Sequence, residues 1–295
     1  MTRSKNINLF LIDGDTSKRI KCSLANWTGV AYKIPKTELD KCKEREDLKQ
    51  SGVYFLFGVN EETGENVVYV GQAGARKNGD GILTRLQEHK NNPDKDYWTE
   101  AIAFTTSNNT FGPTEISYLE NRFCSLGNQA KRYIVKNAVE HTKGNITEEE
   151  EEKESELEEF IDYAKIIMGT LGHKVFIPLV ETSATSADEN GTIFTDDLLY
   201  CSASDAKATG KRTSEGFVVL KGSQISSNLT KSCPDSTLRN RKKYAKNIDE
   251  NYILTEDILF SSPSAAASFV GGASLSGNVS WHNSQGISLK SIDAK

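Results

Sequence analysis

The sequence has few of the residues that build metal clusters or disulfide frameworks. Its five cysteines form no Cys-x-x-Cys pair, and none of its four histidines stands at metal-ligand spacing from a cysteine, which favours reduced thiols and argues against a zinc site. Long apolar runs are also missing. The run Leu9 to Ile12 is too short for an export signal, and no stretch is long enough to span a bilayer. We therefore expect a soluble, cytoplasmic protein with no membrane partner.

An excess of positive charge is missing as well. The formal net charge of −5, taken alone, argues against a nucleic-acid-binding protein. The charge is unevenly distributed, however. Residues 148–162 hold nine Glu, one Asp and one Lys, whereas residues 200–247 hold ten Lys or Arg against three Asp or Glu, a local charge of +7. The basic segment is therefore a candidate phosphate-binding surface.

The length favours two domains, and shifts in composition suggest their borders. Residues 181–192, rich in Ser, Thr and other small residues, form the clearest linker, and the acidic segment before them predicts one helix over 146–172. We expect an α+β protein with four segments, namely an N-terminal extension (1–50), a first domain (51–142), an acidic bridging helix and linker (143–192), and a C-terminal α+β domain (193–295).

Apolar patterning predicts the secondary structure of each segment. The first half is expected to contain strands over 7–12 and 20–24, a helix over 35–50, a hairpin with strands 53–57 and 67–70, a helix over 82–91, a strand over 101–106 and a helix over 114–126. The C-terminal domain is expected to contain strands over 198–203 and 217–220, helices near 236–246 and 264–270, and a last hairpin that carries Trp281.

Two glycine–tyrosine triplets lie on the predicted hairpin, Gly52-Val53-Tyr54 on its first strand and Tyr69-Val70-Gly71 on its second. Arg85 and His89 follow on the next helix, Glu120 on a later helix and Asn137 further on. In this order the residues resemble the GIY-YIG nuclease family, with Val for Ile in both triplets. The loop after the second triplet is longer and richer in glycine than in many members of that family, and Gln72 stands where a lysine is common.

The resemblance implies a small mixed α/β GIY-YIG nuclease domain, with a short central sheet flanked by helices. It implies a metal-dependent endonuclease that acts on duplex DNA with Mg²⁺ or Mn²⁺, bound by Glu120. The implied catalytic residues are Tyr54, Tyr69, Arg85, His89, Glu120 and Asn137. Asn128 also follows Glu120 and stays an alternative for the asparagine.

The residue types suit this chemistry on physical grounds. Residues i and i+4 of a helix share a face, so Arg85 and His89 are expected to point together from an exposed helix surface to one phosphate. Glu120 offers the hard oxygen that Mg²⁺ prefers, the tyrosines can carry protons, and Gly71 is expected to leave room near the substrate. Taken singly, each of these residues is more often an ordinary packing or surface residue.

The C-terminal half contains the segments Gly216-Phe217-Val218-Val219-Leu220-Lys221-Gly222-Ser223 and Phe260-Ser261-Ser262-Pro263-Ser264-Ala265-Ala266-Ala267. With these segments it is similar to a domain of unknown function that is often appended to bacterial GIY-YIG proteins. Its basic helix predicts DNA contacts by Arg239, Arg241, Lys242 and Lys243, and the alternative is a solvated basic face. The alternative for the whole chain is a non-catalytic DNA-binding or scaffold protein that retains the fold. A nucleotide-binding loop at 71–74 is disfavoured, because the loop lacks both a GKS/GKT ending and a GxGxxG frame.

Overall fold

The computed structural model describes residues 4–74, 81–137, 151–180, 198–203 and 205–294. The chain divides into two compact units, residues 1–178 and 179–295, each built on its own β-sheet with packed helices. None of the helices described is both long and apolar enough to cross a lipid bilayer. The linker expected at 181–192, the start of the acidic helix at 146–150 and part of the glycine-rich loop, 75–80, lie outside the described residues.

The first unit contains a seven-stranded sheet with the strand order β1-β2-β3-β6-β4-β5-β7. All neighbouring strands are antiparallel except β5 and β7, which are parallel. The strands are β1 (Ile7–Leu11), β2 (Ile20–Leu24), β3 (Gly29–Pro35), β4 (Gly52–Val59), β5 (Asn66–Ala73), β6 (Trp98–Thr106) and β7 (Ile134–Val135). Because the N-terminal extension contributes three strands to it, the sheet is wider than the short one expected from the resemblance.

Two expectations for the extension were wrong. The helix expected over 35–50 is instead a pair of 3-10 helices, Lys36–Cys42 and Glu46–Lys49. The buried residues Leu39 and Cys42 are three apart, which is the repeat of a 3-10 turn. Strand β3 was not expected at all, because five of its seven residues are buried and it therefore shows no alternation of apolar and polar side chains.

Both faces of the first sheet are covered. Helices α2 (Pro113–Ala130) and α3 (Glu151–Thr170) bury one face, where Phe123 and Phe160 meet sheet residues such as Phe104. Helix α1 (Ile82–Lys90) and the 3-10 helices pack on the opposite face. The hairpin β4–β5 therefore lies between two helical layers, and its alternating side chains point into both of them.

The acidic helix α3 packs within the first unit. Its apolar residues join the core, and its acidic residues bind α2, where Arg122 Nε donates to Glu158 Oε1 at 2.5 Å and Tyr118 Oη donates to the same oxygen at 2.8 Å. Lys153 and Glu115 form a further ion pair between the two helices. Part of the acidic run is therefore matched by partners on α2.

The second unit contains an antiparallel five-stranded sheet with the order β11-β10-β9-β8-β12. Its elements are β8 (Leu198–Ala203), β9 (Ala206–Thr213), β10 (Gly216–Val219), α4 (Asp235–Lys243), β11 (Ile258–Phe260), α5 (Pro263–Gly271), α6 (Gly277–Ser280), β12 (Trp281–His282) and α7 (Leu289–Asp293). Ser262 caps α5, since Ser262 Oγ accepts from Ala265 N at 3.2 Å. Strand β9 was not expected, because its inward residues are only Ala and Gly, which are weak strand formers.

Candidate active site

Tyr54 and Gly71 lie directly opposite each other in the antiparallel pair β4–β5. A Cβ on Gly71 would overlap the phenol of Tyr54, so the missing side chain makes room for that ring. The space beside Gly71 is therefore filled by the ring of Tyr54. Tyr54 is 1% exposed, whereas Tyr69 on the neighbouring strand is half-buried, and their ring centroids are 6.4 Å apart. Of the two phenols, Tyr69 is the more accessible.

His89 on α1 contacts both tyrosines. Its Nε2 lies 2.7 Å from Tyr54 Oη, and its ring centroid lies 5.4 Å from that of Tyr69. The exposed position expected for His89 was wrong, since only 3% of the residue is accessible. The signal was present in the sequence: Ile82, Leu86 and His89 follow the i, i+4, i+7 spacing of a buried stripe. Burial, with smaller effects from nearby cations, lowers the pKa of His89 to about 4.

Arg85 lies one turn before His89 and is only partly buried, with 39% of its side chain exposed. It forms an ion pair with Glu88, which raises the pKa of Arg85. Its charge and a hydrogen bond favour the ionised form of Tyr54, but burial outweighs them and the pKa of Tyr54 is raised. The two phenols therefore stay protonated in the free protein, since burial also raises the pKa of Tyr69.

Glu120 reaches the same region from α2 and is 7% exposed. Gln72 Nε2, at the end of β5, donates to Glu120 Oε2 at 2.8 Å. Burial is the main cause of the raised pKa of Tyr69, and the charge of Glu120 is the next largest cause. The same two effects raise the pKa of Cys124 to about 12. The carboxylate of Glu120 thus acts electrostatically on Tyr69.

Asn137 binds the backbone of the second triplet. Its Nδ2 donates to Val70 O at 2.7 Å, and its Oδ1 accepts from Val70 N at 3.0 Å. Strand β7 pairs with Val67 and Val68 of β5, and the amide of Asn137 extends this pairing to Val70. Asn137 therefore fixes the strand between Tyr69 and Gly71. Asn128, the alternative, is exposed on α2.

Lys95 is a site residue that the motifs did not reveal. It ends the 3-10 helix Pro93–Lys95 after α1, and its Nζ lies 3.3 Å from the centroid of the Tyr69 ring. Burial, followed by the charge of Arg85, lowers the pKa of Lys95 to about 8, although the charge of Glu120 acts in the opposite direction. No sequence signal marks Lys95, because a turn outside both triplets brings it to the site.

Three of the four basic residues predicted to bind DNA, namely Arg239, Lys242 and Lys243, are exposed on α4. The prediction for Arg241 was wrong, because its guanidinium points into the second unit. Its Nε donates to Phe269 O at 2.9 Å and its Nη1 to Ser226 O at 3.0 Å. Arg241 thus binds the carbonyl of Phe269, in the last turn of α5 where helix geometry leaves carbonyls without partners, and the carbonyl of Ser226 outside that helix, which is a structural role.

Residues 199–293 match a family model described as a domain of unknown function, DUF4357. The match spans the sheet and helices of the second unit and less than half of the chain, and it agrees with the appended domain expected there. No GIY-YIG family model matches the first unit. No curated protein and no solved structure matches the chain. The nuclease interpretation of the first unit therefore depends on its own residues and their geometry.

Proposed function

We propose that the chain is a metal-dependent endonuclease that hydrolyses phosphodiester bonds in duplex DNA at the first unit. The observation that supports this most strongly is the convergence of side chains from β4, β5, α1 and α2. These side chains are Tyr54, Tyr69, Arg85, His89 and Glu120. They meet beside the part of β5 that extends beyond β7. Among the described residues, no strand pairs with this part of β5 at the sheet edge.

Arg85 is the first candidate for binding the phosphate that is cleaved. Its guanidinium is charged at every relevant pH and is partly exposed beside Tyr54. A guanidinium can donate two parallel hydrogen bonds to a phosphate, and it can therefore stabilise the extra charge of the pentavalent transition state. The ion pair with Glu88 orients the guanidinium before substrate arrives.

His89 is the candidate proton acceptor. Hydrolysis forms a bond between a water oxygen and phosphorus, breaks a phosphorus–oxygen ester bond, removes a proton from the water and returns a proton to the departing oxygen. His89 is neutral near pH 7, and its Nε2 can take the proton of Tyr54 Oη while that phenol receives one from the water through Tyr69. The tyrosines start protonated, because their pKa values are raised, and each would pass on one proton as it receives another.

Glu120 suits a divalent cation. In the described part of the chain no three His, Cys, Asp or Glu residues form a metal cluster, and Glu120 is the carboxylate beside Tyr69. One buried carboxylate fits Mg²⁺ or Mn²⁺, because such a cation keeps most of its water ligands. When bound, the cation would neutralise phosphate charge and lower the pKa of a water. Glu120 would hold it, and Gln72 would orient the carboxylate.

The second unit is proposed to contact DNA through Arg239, Lys242 and Lys243 of α4. These exposed cations lie on one short helix, and such a group binds phosphates with little dependence on base sequence. This part of the proposal concerns affinity and does not involve the chemical step.

Nicking of supercoiled plasmid tests the proposed activity. We expect relaxed or linear plasmid with Mg²⁺ or Mn²⁺ and none with EDTA. Arg85→Ala, purified in parallel, controls for contaminating nuclease and should be nearly inactive. Absence of cleavage by the wild type at every metal concentration would overturn the proposed activity and favour the non-catalytic alternative.

A further inference from the structure

We propose that Lys95 is a second phosphate-binding residue of the candidate active site, and that its ammonium binds the DNA backbone from the side of Tyr69. This rests on the proposed function. Family resemblance does not point to Lys95, which lies in the turn between α1 and β6 and belongs to neither triplet.

The position of the ammonium is the first observation. Lys95 Nζ lies 3.3 Å from the centre of the Tyr69 ring, on the more accessible of the two phenols. Within the described ranges, neither a hydrogen bond nor an ion pair engages this ammonium. Its contact with Tyr69 is a cation–π interaction, which orients a cation but leaves its three hydrogen-bond donors available.

Other lysines of the first unit have carboxylate partners. Lys90 Nζ lies 2.6 Å from Asp40 Oδ2, Lys36 Nζ lies 2.8 Å from Asp96 Oδ1, and Lys33 Nζ lies 3.1 Å from Glu100 Oε2. Lys95 is partly buried without such a partner, and this is why its pKa falls to about 8. An anion that enters the site would restore the missing partner and favour the charged ammonium.

The surrounding charges define which anion fits. Arg85 on α1 and Glu120 on α2 both act electrostatically on Lys95, and both also act on Tyr69, the ring that Lys95 contacts. Gln72, where the resemblance leads one to expect lysine, donates to Glu120. Lys95 therefore supplies a cation that β5 does not, and a phosphate diester is an anion that this ammonium can bind while Arg85 remains paired with Glu88.

The test compares the full-length variants Lys95→Gln, Lys95→Arg and Lys90→Gln. Lys90 is the control because it lies five residues earlier and pairs with Asp40. One arm measures kcat/KM on a duplex oligonucleotide with Mg²⁺. The other measures the affinity of each variant for the same duplex at two salt concentrations, in a Glu120→Gln background. Thermal melts check folding.

We expect Lys95→Gln to lower kcat/KM at least about tenfold and to reduce the log–log salt dependence of binding by about one unit, the value of one phosphate contact. Lys95→Arg should retain most of the kcat/KM and most of the salt dependence of binding. Lys90→Gln should match the parent protein in both properties. A residue that only packs on Tyr69 would change the melting temperature and leave the salt dependence unaltered.

A Lys95→Gln protein with the parent's salt dependence and kcat/KM would overturn this assignment and leave the proposed nuclease intact. If the wild type does not cleave DNA, the proposed function fails instead, and the binding arm still decides whether Lys95 contacts phosphate.

Discussion

The phenol oxygen of Tyr54 lies 2.7 Å from Nε2 of His89, and both residues are buried. This contact joins β4 to α1, and each partner satisfies a polar atom of the other in a place that water does not reach. Removal of either side chain leaves the other without that partner, so the pair couples the geometry of the site to the stability of the first unit.

His89→Ala should destabilise the first unit by about 2 kcal/mol or more, because it opens a cavity and leaves the phenol of Tyr54 without its partner. Arg85→Ala should cost about 0.5 kcal/mol or less, since that side chain is partly exposed. Both should lower cleavage by about 10²-fold or more. Urea unfolding and plasmid nicking on the same preparations measure the two effects. Equal stability losses for the two variants would contradict the buried position of His89.

His89 should also make stability depend on pH. The folded pKa is about 4, against an ordinary value of 6.5, so between these values the unfolded chain binds a proton that the folded chain does not. Acidification therefore favours unfolding, and the contribution of neutral His89, at most about 3 kcal/mol, is present above pH 6.5 and is lost as the pH falls to 4.

The measurement is the unfolding free energy of the wild type and of His89→Gln from pH 7 to pH 4. The wild type should lose more stability than the variant across this window, because Gln does not titrate. Parallel curves would mean that residue 89 does not contribute to the acid sensitivity.

Gly71→Ala should displace the phenol of Tyr54, because the added methyl group would occupy the same space in the paired strands. We expect a stability loss of about 1–3 kcal/mol, typical of overpacking, and a large loss of cleavage. Gly74→Ala is the matched control, since among the described residues its Cβ would meet only Ile116 Cδ1, at 3.8 Å. Thermal melts and nicking assays measure the two effects. Equal melting temperatures and equal nicking rates for Gly71→Ala and Gly74→Ala would contradict the role given to Gly71.

Much of the candidate site was predictable from the order and spacing of its residues along the chain. The two triplets placed Tyr54 and Tyr69 on paired strands, and the spacing of Arg85 and His89 placed them on one helix. The depth of each side chain was harder to predict. Whether a helical position faces a sheet or water depends on the tertiary packing, and the motif alone gave the wrong answer for His89.

Other features depend on contacts that local sequence does not encode. Strand β3 has no alternation because both of its faces are covered, and Lys95 reaches Tyr69 only through the turn after α1. Arg241 looked like its basic neighbours, yet it lies four residues after the buried Thr237 and shares its face of α4. In each case the deciding partner is distant in sequence.

Neutralisation of α4 should weaken binding of duplex DNA. In the full chain, Arg239→Gln, Lys242→Gln and Lys243→Gln combined should lower affinity at low salt and reduce the log–log salt dependence by up to about three units. The fold should be unaffected, since these side chains are exposed. Arg241→Gln should instead destabilise the second unit, because it removes donors to the carbonyls of Phe269 and Ser226. DNA affinity measured at several salt concentrations checks the triple variant, and thermal melts check Arg241→Gln. Unchanged DNA binding by the triple variant would contradict the proposed contact between α4 and DNA.

Cleavage by Glu120→Gln across a titration of Mg²⁺ and Mn²⁺ bears most directly on the proposed endonuclease. Glutamine keeps the size of the side chain and removes the charge that would hold the cation. We expect no nicking at any Mg²⁺ concentration, while affinity for duplex DNA is unchanged or slightly higher because a negative charge near the phosphate is lost. Nicking by Glu120→Gln at the wild-type rate, with the wild-type dependence on metal, would contradict the assignment of this site.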